Sequence, residues 1–178
     1  MNELVKHDIA SGPERSKPLL QSSIDGFGFI PNQSAYMANS PALLKSYQLA
    51  HDEFGSSTLT DTEKAVVWIT CGTVFNCEYT ISAHTFIALS QGVDNDVIKK
   101  IKEAPEALDS KNKVLAQFVR KVIFSSNEKI TRRDCLPLIE NGFTNEQVLD
   151  AILGVSQKFM SINLNSIANP QIDEKFGV

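Results

Sequence analysis

The stretch Thr60-Asp61-Thr62-Glu63, followed by Ala65-Val66-Val67-Trp68-Ile69-Thr70-Cys71-Gly72-Thr73-Val74-Phe75, constrains this chain more than any other. Thr60 with Glu63 three residues later is a capping box, in which each side chain satisfies an amide that a first helical turn leaves orphaned. The run behind it is apolar almost all round, and a helix of that kind is buried on most sides. So many β-branched residues also suit a strand. The capping box and the length of the run favour a helix, and its place is expected to be the centre of the fold.

The other start and stop signals are helical too. Ser40-Pro41 puts a cap before a proline at the first helical position. The helix behind it carries Leu43, Leu44, Tyr47, Leu49, Ala50 and Phe54 and closes at Gly55. Further helices are expected from Cys77 to about Gly92, from Asp94 to Pro105, from about Ser110 through Ile123, and from about Thr131 to Asn141-Gly142. A long apolar helix begins at Thr144 and stops by Asn169-Pro170. No two alternating runs flank a hairpin turn. The expectation is therefore an all-α domain of about seven helices over residues 21–178, preceded by an arm, residues 1–20. Gly12, Pro13 and Pro18 break the periodicity of that arm, which is expected to be disordered or to lie on a neighbour. Residues 25–32 are apolar but hold two glycines and a proline. They read as a buried loop anchored by Phe27 and Phe29, with a short helix over Ser34 to Ala38.

Shifting the chain by 84 residues lays Thr60 on Thr144, Ile69 on Leu153 and Phe75 on Phe159. Both segments are a capped start followed by a long apolar helix, which suggests an internal two-helix repeat about a pseudo-twofold axis. Ser161 and Ala168 then fall where the first copy has Cys77 and His84, so only the first copy can carry their chemistry.

Composition narrows the function classes. Seventeen basic residues against twenty-one acidic ones give a net charge of −4. No basic stripe is visible, which argues against nucleic acid as a partner. No run of about 18 apolar residues suggests a membrane span, and the N-terminus lacks the pattern of a secretory signal. Three cysteines, Cys71, Cys77 and Cys135, make no disulfide framework. The reading is a cytoplasmic protein with reduced thiols. None of the three has a second Cys at zinc-site spacing, so no metal and no cofactor is expected.

The chemistry centres on Asn76-Cys77-Glu78-Tyr79-Thr80-Ile81-Ser82-Ala83-His84. With Asn76 as N-cap, Cys77 falls at the positive end of a helix, which favours a thiolate. His84 lies two turns on along the same face. A thiol and an imidazole so placed suit redox or acid/base work. A small apolar cysteine and a satisfied core histidine suit the same spacing.

This pattern resembles the carboxymuconolactone decarboxylase and alkylhydroperoxidase D (AhpD-like) superfamily. Phe29-Ile30-Pro31-Asn32, Asn39-Ser40-Pro41-Ala42-Leu43-Leu44 and the late Asn163 to Asn169 segment with Ile172-Asp173 resemble its peroxidase-related branch. The resemblance covers about residues 25–175 and implies an AhpD-like helical bundle. In the family motif two cysteines are separated by two residues, and a His follows four residues on. Cys77 matches the first Cys and His84 the His, while Thr80 stands at the second Cys. The family's Glu, twelve residues before the first Cys, is Ala65 here, and Glu63 falls on a different helical face. His51, Asp52 and Glu53 are substitutes for it by sequence proximity only, and an exposed helix end explains them as well.

What the resemblance implies is an alkylhydroperoxidase-like antioxidant activity, altered. Thr80 cannot form the internal disulfide. Cys71 is about 9 Å from Cys77 along a continuous helix, beyond disulfide reach unless the chain bends at Asn76. That leaves a one-cysteine cycle: Cys77 becomes a sulfenic acid that an external thiol reduces, with His84 moving the proton and Tyr79 donating a hydrogen bond. A decarboxylase-like lyase built on His84, or a non-catalytic oligomer, are the other readings. The family also implies a homo-oligomer, whether dimer, trimer or hexamer.

Overall fold

The computed structural model describes residues 3–125 and 129–177; the first two residues of the expected arm lie outside them. Nine α-helices and two short 3-10 turns make up the described fold, without a strand among the described residues. They are α1 (Lys17–Phe27), α2 (Asn32–Met37), α3 (Pro41–Gly55), α4 (Asp61–Val74), α5 (Glu78–Ser90), α6 (Asn95–Glu103), α7 (Ser110–Ile123), α8 (Arg132–Glu140) and α9 (Asn145–Ala168). The 3-10 turns are Pro105–Ala107 and Glu174–Phe176.

Helix α4 is the centre, packed by α5, α6, α7 and α9. Its start is the capping box: Thr60 Oγ1 accepts from the Glu63 amide, and Glu63 returns a carboxylate oxygen to the Thr60 amide at 2.8 Å. The other oxygen of buried Glu63 pairs with Lys111 of α7 at 2.7 Å. Val66, Val67 and Ile69 of α4 are fully buried, with Phe54 of α3, Leu115 and Val119 of α7 and Val155 of α9 in the same core. Helix α9 begins with the matching box, Thr144 with Gln147.

The two segments related by the 84-residue shift differ in one respect. The first breaks after Val74 and restarts as α5, whereas α9 continues for 24 residues. The break is a Schellman motif. Asn76 takes a left-handed φ of 50°, its amide donates to Thr73 O at 3.2 Å, and the Cys77 amide donates to Gly72 O at 2.9 Å. Asn tolerates this backbone because its short polar side chain costs little there. The position that the shift places against Asn76 is Met160, which has no such tolerance. Phe75 and Phe159, paired by the shift, meet with ring centroids 5.3 Å apart.

Four expectations need correction. Among the described residues the helix count is nine, because the short Asn32–Met37 forms and Lys17–Phe27 is helical as well: Pro18 lies in the first turn, where proline favours a helix rather than breaking it. That helix crosses the expected boundary at residue 20 and includes residues 25–27, expected in a loop; Gly28, left-handed at φ 76°, ends it. The described part of the arm, from residue 3, is held against its own chain. The His7 amide donates to Ala35 O, Asn39 holds both backbone groups of Val5, and buried Ser16 donates to Ala38 O. Finally, Asn76 closes α4 instead of capping α5.

Two glycines let the central helices meet. A methyl group at Gly72 would lie 2.9 Å from Ile81 Cγ1, and one at Gly154 would lie 2.6 Å and 2.8 Å from the Phe54 ring. Both neighbours of Gly154, Phe54 and Val67, are fully buried and have nowhere to move. Gly154→Ala is expected to lower the unfolding free energy by about 1–3 kcal/mol, read from urea denaturation. An unchanged midpoint would show that the α4–α9 crossing is looser than this.

Candidate functional site

The turn at Asn76 makes Cys77 itself the N-cap of α5, with an extended φ of −98° and no side-chain capping bond. Its half-buried sulfur therefore sits where the first-turn amides of α5 point and the helix dipole is positive. Thr80, one turn on, brings its Oγ1 to 3.2 Å from the sulfur. Asn165 of α9 donates through Nδ2 to the sulfur at 3.5 Å and to Gln33 Oε1 at 3.0 Å. Gly72 permits this arrangement, since a Cβ there would also press on Thr80 Cγ2 at 3.2 Å.

His84 lies on the buried side of α5 and is not a hydrogen-bond partner of the sulfur. Its Nε2 is 2.6 Å from Nζ of Lys158, a buried lysine of α9. The imidazole rests on Trp68 with ring centroids 4.5 Å apart, and His51 of α3 stacks on the same indole at 5.0 Å and 11°. The Lys158 ammonium lies 5.5 Å from the rings of both Trp68 and Tyr47. His84 Nδ1 is buried and makes no hydrogen bond.

The electrostatics follow from burial among bases. Burial, then the Lys158 charge and then His51 hold His84 well below its usual pKa, so the imidazole is neutral. Burial lowers Lys158 to about 7, against the pull of Cys71 and Cys77 toward a higher value. His51 falls to about 4, again chiefly by burial and then by Lys158. Cys71 is buried on α4 and pushed up to about 12 by burial, so it is an inert thiol.

Tyr79 does something other than donate to sulfur. Its hydroxyl donates to Asp173 at 2.6 Å and accepts from the Gln33 amide at 3.2 Å. Burial, and next the bond to Asp173, push its pKa up. Asp173 also accepts from the Asn32 amide at the start of α2. Tyr79 is thus a tie that draws the tail over the bundle, where Phe176 packs on Phe29, Tyr79 and Phe86. Glu63 is committed to the start of α4, and no carboxylate pairs with His84 or Lys158 among the described residues.

A cavity of about 500 Å³ lies beside these groups. Leu19, Phe27, Leu49, Ile87 and Phe176 give it apolar walls, and Gln33, Tyr47, Thr80 and His84 give it polar ones. Thr80 both lines the cavity and touches the sulfur, so Cys77 is one side chain removed from it.

Reading the sequence missed Lys158, Gln33, Tyr47 and Asn165 as members of the site. A signal for the first existed: Val148, Ala151, Val155, Ile162 and Asn165 are buried along α9, and Lys158 falls in the same stripe. A lysine in the register of a buried stripe departs from the exposed position usual for that residue.

No family profile matches the sequence, and no curated protein does. Solved structures do share the fold. An uncharacterized peroxidase-related protein from Ralstonia eutropha with an alkylhydroperoxidase AhpD core superposes with a TM-score of 0.85 at 20% identity, over 97% of this chain and 92% of that one. A peroxidase-related protein from Silicibacter sp. gives 0.79 at 19% identity, over 97% and 91%. A debrominase in its apo form gives 0.76 at 15% identity, over 99% and 95%. The chain has the AhpD-like fold.

The displaced pKa values set an expected pH dependence of stability. Lys158 has a folded value near 7 against an ordinary 10.5, so above 7 the unfolded chain holds a proton that the folded chain has released. Stability then rises with pH, by at most about 1.4 kcal/mol per unit. Cys71 acts oppositely between 9.0 and about 12, where the folded chain keeps a proton that the unfolded chain loses. Denaturation midpoints are expected to climb from neutral pH toward 9, and Lys158→Met to flatten that climb. A fall over this range in the native chain would contradict the buried lysine.

Proposed function

We propose that this chain reduces hydroperoxides by a one-cysteine cycle in which Cys77 is the nucleophile and an external thiol is the reductant. The observation that carries the reading is the pair of contacts at the sulfur, Thr80 Oγ1 at 3.2 Å and Asn165 Nδ2 at 3.5 Å, at the mouth of α5. A donated amide hydrogen and a helix N-terminus both place partial positive charge beside the sulfur. Neither Cys71 nor Cys135 has two such side-chain partners among the described residues.

The thiolate attacks the terminal peroxide oxygen. The S–O bond forms, the O–O bond breaks, and the alkoxide leaves and takes a proton. Sulfur is oxidised to the sulfenic acid and the peroxide is reduced to an alcohol. Two equivalents of external thiol then return the thiol, releasing water and a disulfide. Cys71 supports no internal second step, being a buried thiol on the far side of the turn at Asn76. The cavity, with apolar walls and a volume usual for small-molecule sites, suits the organic part of such a substrate.

One observation favours a second reading. The Lys158–His84 contact places a neutral imidazole and a lysine beside the same cavity, a constellation fit for moving a proton on a carbon acid. A debrominase on the same fold underlines that the fold does not choose the chemistry. The sulfur decides between the readings.

Cys77→Ser is expected to abolish hydroperoxide consumption in the presence of a small thiol and to abolish sulfenic-acid trapping. Thr80→Val, which deletes one hydrogen bond of about 1 kcal/mol, is expected to slow turnover about fivefold. A lyase keeps its activity in Cys77→Ser and loses it in His84→Ala. If neither substitution changes any measured turnover, the catalytic account fails.

A further inference from the structure

We infer that Lys158 is the proton store of the site, a positioning residue that sets the tautomer of His84 through the Nζ–Nε2 contact and feeds a proton through the imidazole to the oxygen leaving the peroxide. The delivery step rests on the peroxide reading given above; the shared proton does not.

The contact itself restricts the chemistry. A lysine ammonium has three donors and no acceptor, so while Lys158 carries its charge, His84 Nε2 at 2.6 Å is the acceptor and the ring proton sits on Nδ1. Two cations do not coexist at that distance in the interior, so the pair holds one removable positive charge. That charge belongs to Lys158, because His84 is held neutral. His84 Nδ1 is buried without a protein partner, and the His84 side chain lines the cavity in which a peroxide would sit.

The surroundings favour a mobile proton over a fixed ion pair. From α3, Tyr47 and His51 face the pair; from α4, Trp68 and Cys71; from α5, Cys77. Along α9 itself the neighbours Ser161 and Asn165 are uncharged. No carboxylate from α2, α7 or α8 pairs with Lys158 among the described residues, and Asp52 reaches only His51, at 3.7 Å. Trp68 and Tyr47 stabilise the ammonium through their ring faces without binding its proton. A carboxylate partner would raise His84 and make the imidazolium the acid. A lysine does the reverse, and the proton has to come from Nζ.

The step balances. As the O–O bond breaks, the leaving alkoxide takes the Nδ1 proton of His84, Nε2 takes one from Lys158, and the lysine is left as the neutral amine. After external thiol has reduced the sulfenic acid, the proton lost by the Cys77 thiol enters at Nδ1. The Nε2 proton then returns to Lys158, restoring the starting tautomer.

The test combines nitrogen-15 spectroscopy of imidazole-labelled protein, which needs no substrate, with peroxide turnover against pH. In the native chain the His84 ring signals are expected to move with a midpoint near that of Lys158, about 7. In Lys158→Met that movement disappears, and His84 takes its own proton at a higher pH than in the native chain, having lost a positive neighbour. Native turnover is expected to fall above the same midpoint as the store empties. The variant should lose that alkaline limb and run about tenfold slower at neutral pH. Lys158→Gln serves as the second variant should methionine disturb folding. Identical His84 titrations in native and variant proteins would overturn the shared proton, and an alkaline limb that survives the substitution would overturn delivery. If His84 responds as described but the native chain consumes no peroxide, the Cys77 reading and its delivery step fall, and the Lys158–His84 pair stands.

Discussion

One backbone residue divides the central helix, and the site exists because of it. Asn76 enters the left-handed region, ends α4 and turns the chain so that Cys77 leaves the helix interior and becomes the N-cap of the next helix. Were the helix continuous, Cys77 would lie mid-helix, without the orphaned amides of a first turn. Met160, paired with Asn76 by the 84-residue shift, shows the alternative: α9 runs through unbroken. Its unbroken length then serves the site at α5. Lys158 and Asn165 lie on one face of it, two turns apart, and reach His84 and the sulfur respectively.

The site that results is basic where a carboxylate–histidine relay would be mixed. Lys158, His84 and His51 surround one indole, and their mutual repulsion and burial keep two of the three neutral. The carboxylates nearby are used elsewhere. Glu63 holds the start of α4, and Asp173 binds Tyr79 and the α2 amide. Tyr79 and Asp173 belong to the closure of the cavity by the C-terminal turn and Phe176, which makes the tail part of the site's wall.

Much of the helical plan was legible. Thr60, Thr144, Ser40 and Asp94 are caps in the structure as they are in the sequence, because capping depends on residues within one turn. The all-round apolar run of α4 marked the core helix for the same local reason. Pro18 misled, since a proline near a helix start reads like a breaker until the register of the turn is known. Asn76 misled in a similar way: Asn suits both an N-cap and a left-handed C-terminal position, and only the 6→1 bond from Cys77 to Gly72 distinguishes them.

The amino-acid order by itself determined where most of the helices begin, which helix is buried on nearly all sides, and that Cys77 and His84 lie two turns apart along one helix. These depend on interactions within a few residues. Tertiary structure alone decided what those two groups touch. Lys158 is 74 positions from His84 and Asn165 is 88 from Cys77. Only the crossing of α9 over α4 and α5, permitted by Gly154 and Gly72, converts those separations into hydrogen bonds. A charged residue is stable at such a place only when folding supplies its partners, and no local pattern in the chain encodes a partner that distant.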